Sequence, residues 1–213
     1  MNILAENKEL AISSAVIVFC IILGLAFPSG NIIEEITKNI FFFVILPVSY
    51  VKIVLKKNTS DFGFNMRNNT AGLRWGAISL AASLASFYLL VEFTPFEKNY
   101  GLSAYASGNF WFFVLYELAF VNLALFINEF FFRGFVLNIF LKKFGYLSIA
   151  IQSILYISLA IMTESSVWQI APLAVLSVTG GITAYKTKSF LYSYFSGLLA
   201  IIILGAYLIH LAR

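Results

Sequence analysis

Seven runs of apolar residues, each close to the thickness of a bilayer, leave this chain few folds to choose from. They cover residues 10–27, 40–55, 75–93, 110–127, 146–162, 167–185 and 190–212. A helix needs about 20 apolar residues to cross the hydrocarbon core. Lipid offers no hydrogen bonds, so a spanning segment is either a helix or a strand of a closed barrel. These runs are too long for barrel strands and lack their alternation. The chain is therefore predicted to be all-α, a polytopic membrane helical bundle of about seven transmembrane helices forming one domain over 1–213. With 61% hydrophobic and 11% charged residues, it lies far from soluble domains at about 25% charged. The lipid bilayer is thus its first partner. Nothing resembles a phosphate loop, a dinucleotide site or a nucleic-acid surface.

The few charges set the expected orientation. Cytoplasmic loops carry the excess of Lys and Arg. With the N-terminus inside, the inner segments hold Lys8, Lys52, Lys56, Lys57, Arg67, Arg74, Lys142, Lys143, Lys186 and Lys188. The outer ones hold Lys38, Lys98 and Arg213, together with Glu34, Glu35, Glu92, Glu97 and Glu164. An integral protein of a prokaryotic cell membrane is expected, N-terminus cytoplasmic and C-terminus outside. Glu34, Glu35 and Lys38 read as a loop, and Pro47 as a kink in the second span. Gly180-Gly181 reads as a close helix approach. Cys20 reads as packing, without a partner for a disulfide. The lone His210 reads as interfacial and leaves no His or Cys set for a metal, so no metal or cofactor is expected.

The polar residues of the fourth run are the candidates for chemistry. Glu129 and Arg133 are four apart and share a helix face. Each costs at least about 2.5–3.5 kcal/mol at membrane depth. They are either a buried ion pair that fixes packing or part of a site. On a regular helix Glu117 and Asn128 form one line, and Asn122, Glu129 and Arg133 a second. The two lines predict an inward-facing cavity lined by Glu117, Asn122 and Tyr156, or else a polar seam between helices. Because this run continues into 128–141, its helix tilts, breaks near Gly134 or enters the interface. The charge pattern puts 128–133 in the inner half of the membrane.

Asn128-Glu129-Phe130-Phe131-Phe132-Arg133-Gly134 resembles the first motif of the CAAX prenyl endopeptidase and bacteriocin-processing (CPBP) family, Glu-Glu-x-x-x-Arg. Asp61-Phe62-Gly63-Phe64 is similar to that family's Asp-Leu-Gly-Leu segment. Tyr185-Lys186-Thr187-Lys188-Ser189-Phe190 is similar to its Tyr-x-Arg-Thr-Gly-Ser-Leu turn, and Lys142-Lys143-Phe144-Gly145 stands at the expected distance. The resemblance covers a core of about 60–205. It implies an intramembrane endopeptidase in which the first Glu activates water beside a His, and a further His and Asn hold the oxyanion. A base poised near neutral pH and preplaced donors are what that hydrolysis requires.

This chain departs from the pattern at each of those positions. Asn128 stands for the base, and an amide takes no proton from water. Tyr156 and Ala160 stand for the Phe and His of the second motif, and Gly197 and Ile201 for the His and Asn of the third. Glu129, Arg133 and Gly134 remain. The expected function is a CPBP-type protein without proteolysis that binds a prenylated or hydrophobic peptide or a membrane protein, bacteriocin immunity included. The alternatives are an endopeptidase rewired on Glu129, its base weakened by Arg133, and a small-solute carrier, against which the lack of an inverted repeat counts.

Overall fold

A computed structural model describes residues 3–66, 69–100, 111, 114–115, 117–164 and 166–211. Among these residues there is no strand, and seven principal helices run in order. They are α1 (Ile3–Ala26), α2 (Ile32–Val54), α3 (Asn69–Phe93), α4 (Leu118–Phe144), α5 (Leu147–Thr163), α6 (Val167–Thr187) and α7 (Phe190–Leu211). Six are long and apolar enough to cross a membrane. The seventh, α5, is a shorter apolar helix of 17 residues, about 26 Å at 1.5 Å per residue, at the lower limit of what crosses the ~30 Å core.

Boundaries also differ from the apolar runs. The helix expected over 40–55 starts at Ile32. Asn31 caps it, with its side-chain oxygen accepting from the Glu34 N–H at 2.9 Å and its amide donating to Glu34 at 2.7 Å. Carboxylates at 34 and 35 suit a helix N-terminus. Glu34, Glu35 and Lys38 therefore sit on the helix rather than in a loop. Pro47 does not break α2. The turns on either side of it, Phe41–Ile45 and Tyr50–Val54, are widened to π geometry, and the Leu55 N–H reaches back five residues to the Tyr50 carbonyl.

The central helix is α4. Of its most apolar stretch 61% is buried inside the protein, against 17–39% for the other five long helices. It does not break at Gly134. Instead Glu129–Val136 is π-helical and wholly buried. The Asn138 amide donates to the Gly134 carbonyl at 2.7 Å, satisfying an oxygen in the widened turn. An aromatic core surrounds this segment, with Phe131 against Phe43 and Phe132 against Tyr156, both at 4.8 Å.

The motif segments meet beside Gly134. Gly63 adopts φ +83°, where a side chain is strained. Its carbonyl accepts from the Phe190 N–H at 3.3 Å. The Phe62 ring lies 6.0 Å from Phe135. A Cβ on Gly134 would stand 3.0 Å from the Phe62 carbonyl oxygen and 3.2 Å from the Phe190 ring. A carbonyl cannot give way cheaply, so Gly134→Ala is expected to cost about 1–3 kcal/mol. Gly197→Ala, whose nearest neighbours would be 3.8 Å away, should be neutral or stabilising by up to about 1 kcal/mol from helix propensity. Thermal unfolding of the two variants in detergent checks the contrast; equal melting points would refute it.

Charges segregate to the bundle's ends. At one end Lys57 pairs with Glu9, Lys143 bonds Asn7 at 2.8 Å, and Lys186 bonds the Tyr146 hydroxyl at 2.8 Å while facing the Trp75 ring. The opposite end carries Glu35 and Glu164. Arg67 and Arg213 lie outside the described residues, as does most of the expected loop at 94–109.

Candidate functional site

Arg133 and Glu129 are the buried charged residues among those described, each about 1% exposed. Arg133 Nη1 faces Glu129 Oε1 at 3.3 Å, as an ion pair rather than an aligned hydrogen bond. Three further helices close on the pair. From α6, the Leu176 carbonyl accepts from Arg133 Nη2 at 3.0 Å. From α7, Ser193 Oγ donates to Glu129 Oε2 at 2.5 Å. From α5, the Tyr156 ring lies 4.6 Å from the guanidinium carbon. Gly180 brings the bare backbone of α6 alongside, with Arg133 Nε and Glu129 Oε1 3.5 Å from where its Cβ would be. One charge pair thus fastens α4 to α5, α6 and α7. A second polar contact between helices lies nearby, where the buried Gln152 amide of α5 donates to the Ser177 carbonyl of α6 at 2.8 Å.

The neighbouring residue Asn128 points elsewhere. It lines a cavity of about 390 Å³, together with Tyr156, Ala160 and Ile201. These are the residues that stand where the family resemblance places the base, the aromatic and His of the second motif, and the Asn of the third. Gly197 lies near Leu125 and Leu176 instead. The cavity rises between α2, α4 and the end of α5, and its mouth carries Glu35, Lys38 and Glu164. Burial, and then the charge of Glu35, holds the Glu164 carboxyl above the usual carboxylate range.

Of the three residues expected to line a cavity, the structure places Tyr156 in this one. Asn128 and Tyr156 share the cavity. Asn122 lies outside it, held by the Tyr194 hydroxyl of α7 and donating to the Leu118 carbonyl at 3.2 Å. The line through Asn122 and Glu129 therefore faces α7, as a seam between helices. The side chain of Glu117 lies outside the described residues. Nor does the cavity open toward the Lys142–Lys143 end, as the expected inner-half placement of 128–133 would have it. It opens at the opposite end, because Asn128 lies near the middle of α4 and faces the first turns of α2.

Sequence reasoning missed Ser193, Glu35, Lys38 and Glu164. For Ser193 there was a signal: Ser189, Ser193 and Ser196 are spaced to share one face of a helix. His210 is exposed at the end of α7 and is not among the residues that line the cavity. Among the described residues no three His, Cys, Asp or Glu stand together as metal ligands.

Fold and site define an all-helical membrane bundle built around one buried acid–base pair, with a polar cavity beside it. Residues 107–202 match the family model described as type II CAAX prenyl endopeptidase, Rce1-like, so this segment is similar to the CPBP family. The matched segment includes Asn128–Gly134, Tyr156, Ala160, Gly197 and Ile201. No curated protein and no solved structure matches the chain.

Proposed function

We propose that this protein is a CPBP-type membrane protein that has exchanged proteolysis for binding, and holds a hydrophobic peptide or a membrane-protein partner in the cavity at Asn128. The observation that carries this reading is the make-up of that cavity. Asn128, Ala160 and Ile201 share its lining; none can act as a base, and the positions of the family's oxyanion-holding His and Asn carry Gly197 and Ile201, which have no side-chain donor. A positioned acid–base group contributes about 10²–10⁴-fold and an oxyanion donor about 10²–10³-fold, so losing both removes useful hydrolysis. Glu129 does not replace them, since its carboxylate is engaged by Arg133 and Ser193. Glu129, Arg133 and Asn128 are then the remnant of a catalytic motif, of which the first two serve the fold. Immunity to a bacteriocin fits this reading, as does a scaffold or sensor role.

The gathering of Lys57, Lys143 and Lys186 at the end opposite Glu35 and Glu164, where Lys38 is the one lysine lining the cavity, supports a cytoplasmic N-terminus. The cavity mouth then faces the other side of a prokaryotic cell membrane, and a partner arrives from outside or from the outer leaflet.

The test is cleavage of a mixed library of prenylated and unprenylated peptides by the purified protein. Wild type, Glu129→Gln and Asn128→Glu are all expected to leave the peptides intact, the last because one carboxylate restores neither the His nor the oxyanion donors. Cleavage by wild type that disappears in Glu129→Gln would overturn the proposal in favour of a rewired glutamate site.

A further inference from the structure

The cavity mouth holds two carboxylates and one ammonium. Among the described residues, ion pairs join Lys57 to Glu9 and Arg133 to Glu129, so neither Glu35 nor Glu164 has a basic partner there. The Lys38 ammonium donates to the Ser29 hydroxyl at 3.4 Å rather than to either of them. Burial raises the carboxyl of Glu164, and the charge of Glu35 adds to this, which marks the pair as close enough to repel.

Lys38 also belongs to a second concavity. A groove of about 440 Å³ runs between the end of α1 and the start of α2, walled by Phe27, Pro28, Ile33 and Phe41. Its one acid, Glu34, is already engaged by the Gly30 N–H at 2.7 Å and by the Asn31 amide. One lysine thus divides a polar chamber with two unpaired carboxylates from an apolar trough open to lipid.

We propose that chamber and trough form one site for a cationic, hydrophobic peptide bound in extended form. Its ammonium or guanidinium lies between Glu35 and Glu164, and its apolar flank lies in the groove. This rests on the binding function proposed above and names the chemistry of the occupant. From Glu35 to Phe43 the α2 wall of the chamber rises about 12 Å, the reach of three or four extended residues. Asn39, Asn128 and Thr163 line that height and can bond a peptide backbone. An acyl chain would leave those amides without partners, a cost that disfavours lipid as the occupant. An acidic peptide would face two like charges, which provides discrimination.

The probe is a hydrophobic hexapeptide with two amino-terminal lysines and a dye at its carboxyl end, compared with the same peptide carrying two glutamates. Binding is read by fluorescence anisotropy to the full chain in nanodiscs of zwitterionic lipid. The lysine peptide is expected to bind at least tenfold more tightly than the glutamate peptide, with a preference that fades as salt rises. The double variant Glu35→Gln/Glu164→Gln should weaken the lysine peptide at least tenfold and erase the preference. Ala160→Phe, or Thr163→Trp nearer the mouth, should weaken both peptides by filling the chamber, with melting points confirming that the variants fold. If the filled variants lose binding while the double Gln variant binds like wild type, charge recognition is overturned and the binding function stands. If wild type binds neither peptide, or the filled variants bind unchanged, both are overturned. Displacement of the peptide by a cationic dialkyl lipid at concentrations where a zwitterionic one has no effect would make the occupant a lipid and overturn the peptide assignment.

Discussion

Arg133→Met is expected to cost about 3–5 kcal/mol, because it strands the Glu129 carboxylate inside the bundle without its counter-charge. The cost arises from an orphaned charge more than from the attraction it removes. Ser193 alone remains to hold the carboxylate, and the Leu176 carbonyl loses its donor. The double variant Glu129→Leu/Arg133→Met should recover most of that loss, since a buried ion pair replaced by apolar groups of similar size is often neutral or better. Denaturant unfolding in detergent measures both. If Arg133→Met unfolds like wild type, the pair contributes nothing to the fold. A double variant that stays as unstable as the single would show that the pair acts through more than compensated charge. A double variant that is both stable and still able to bind peptide would place Glu129 and Arg133 in the fold rather than in recognition.

Phe135→Ala is expected to lose a similar amount, about 3–5 kcal/mol. Phe135 is fully buried and its ring faces three different segments: Tyr50 of α2 at 6.1 Å, Phe62 of the Asp61–Phe64 motif at 6.0 Å, and Phe131 of α4 at 6.0 Å. Truncation opens a cavity where these segments meet, and the widened turn Glu129–Val136 cannot collapse into it without moving the ion pair. Phe144→Ala, at a partly exposed ring near the end of α4, should lose much less and serves as the control in the same melting experiment. Equal losses at the two positions would mean that the aromatic core around Phe135 is not well packed. The same unfolding data would show whether the Gly63–Phe190 contact survives, through a comparison with Gly63→Ala.

Several features were legible because they are local. A helix face repeats about every four residues, so Glu129 and Arg133 had to be neighbours whatever the rest of the chain does. The departure of Asn128, Tyr156, Ala160, Gly197 and Ile201 from the family's chemistry is a matter of residue identity and needs no coordinates. The limits of local reading appear at α2. Its polar first turns read as loop, whereas the Asn31 cap and the favourable ends of a helix dipole draw Glu34, Glu35 and Lys38 into the helix. Asn122 shows the complementary limit. Its polarity and spacing were read correctly as one line with Glu129, yet only its contact with Tyr194 shows that the line faces α7 and lies outside the cavity.

The sequence alone determined that this chain is a helical membrane bundle and that its fourth segment carries a charge pair beside an asparagine, where the family resemblance expects a glutamate. Those conclusions follow from the bilayer's demand for long apolar helices and from the helix repeat. The tertiary structure decided that Ser193, Leu176 and Tyr156 enclose the pair, and that Asn128 shares a chamber with Glu35, Lys38 and Glu164. These groups lie far apart along the chain and are joined only by how the helices pack, through steric fit and buried polar contacts that no local pattern encodes.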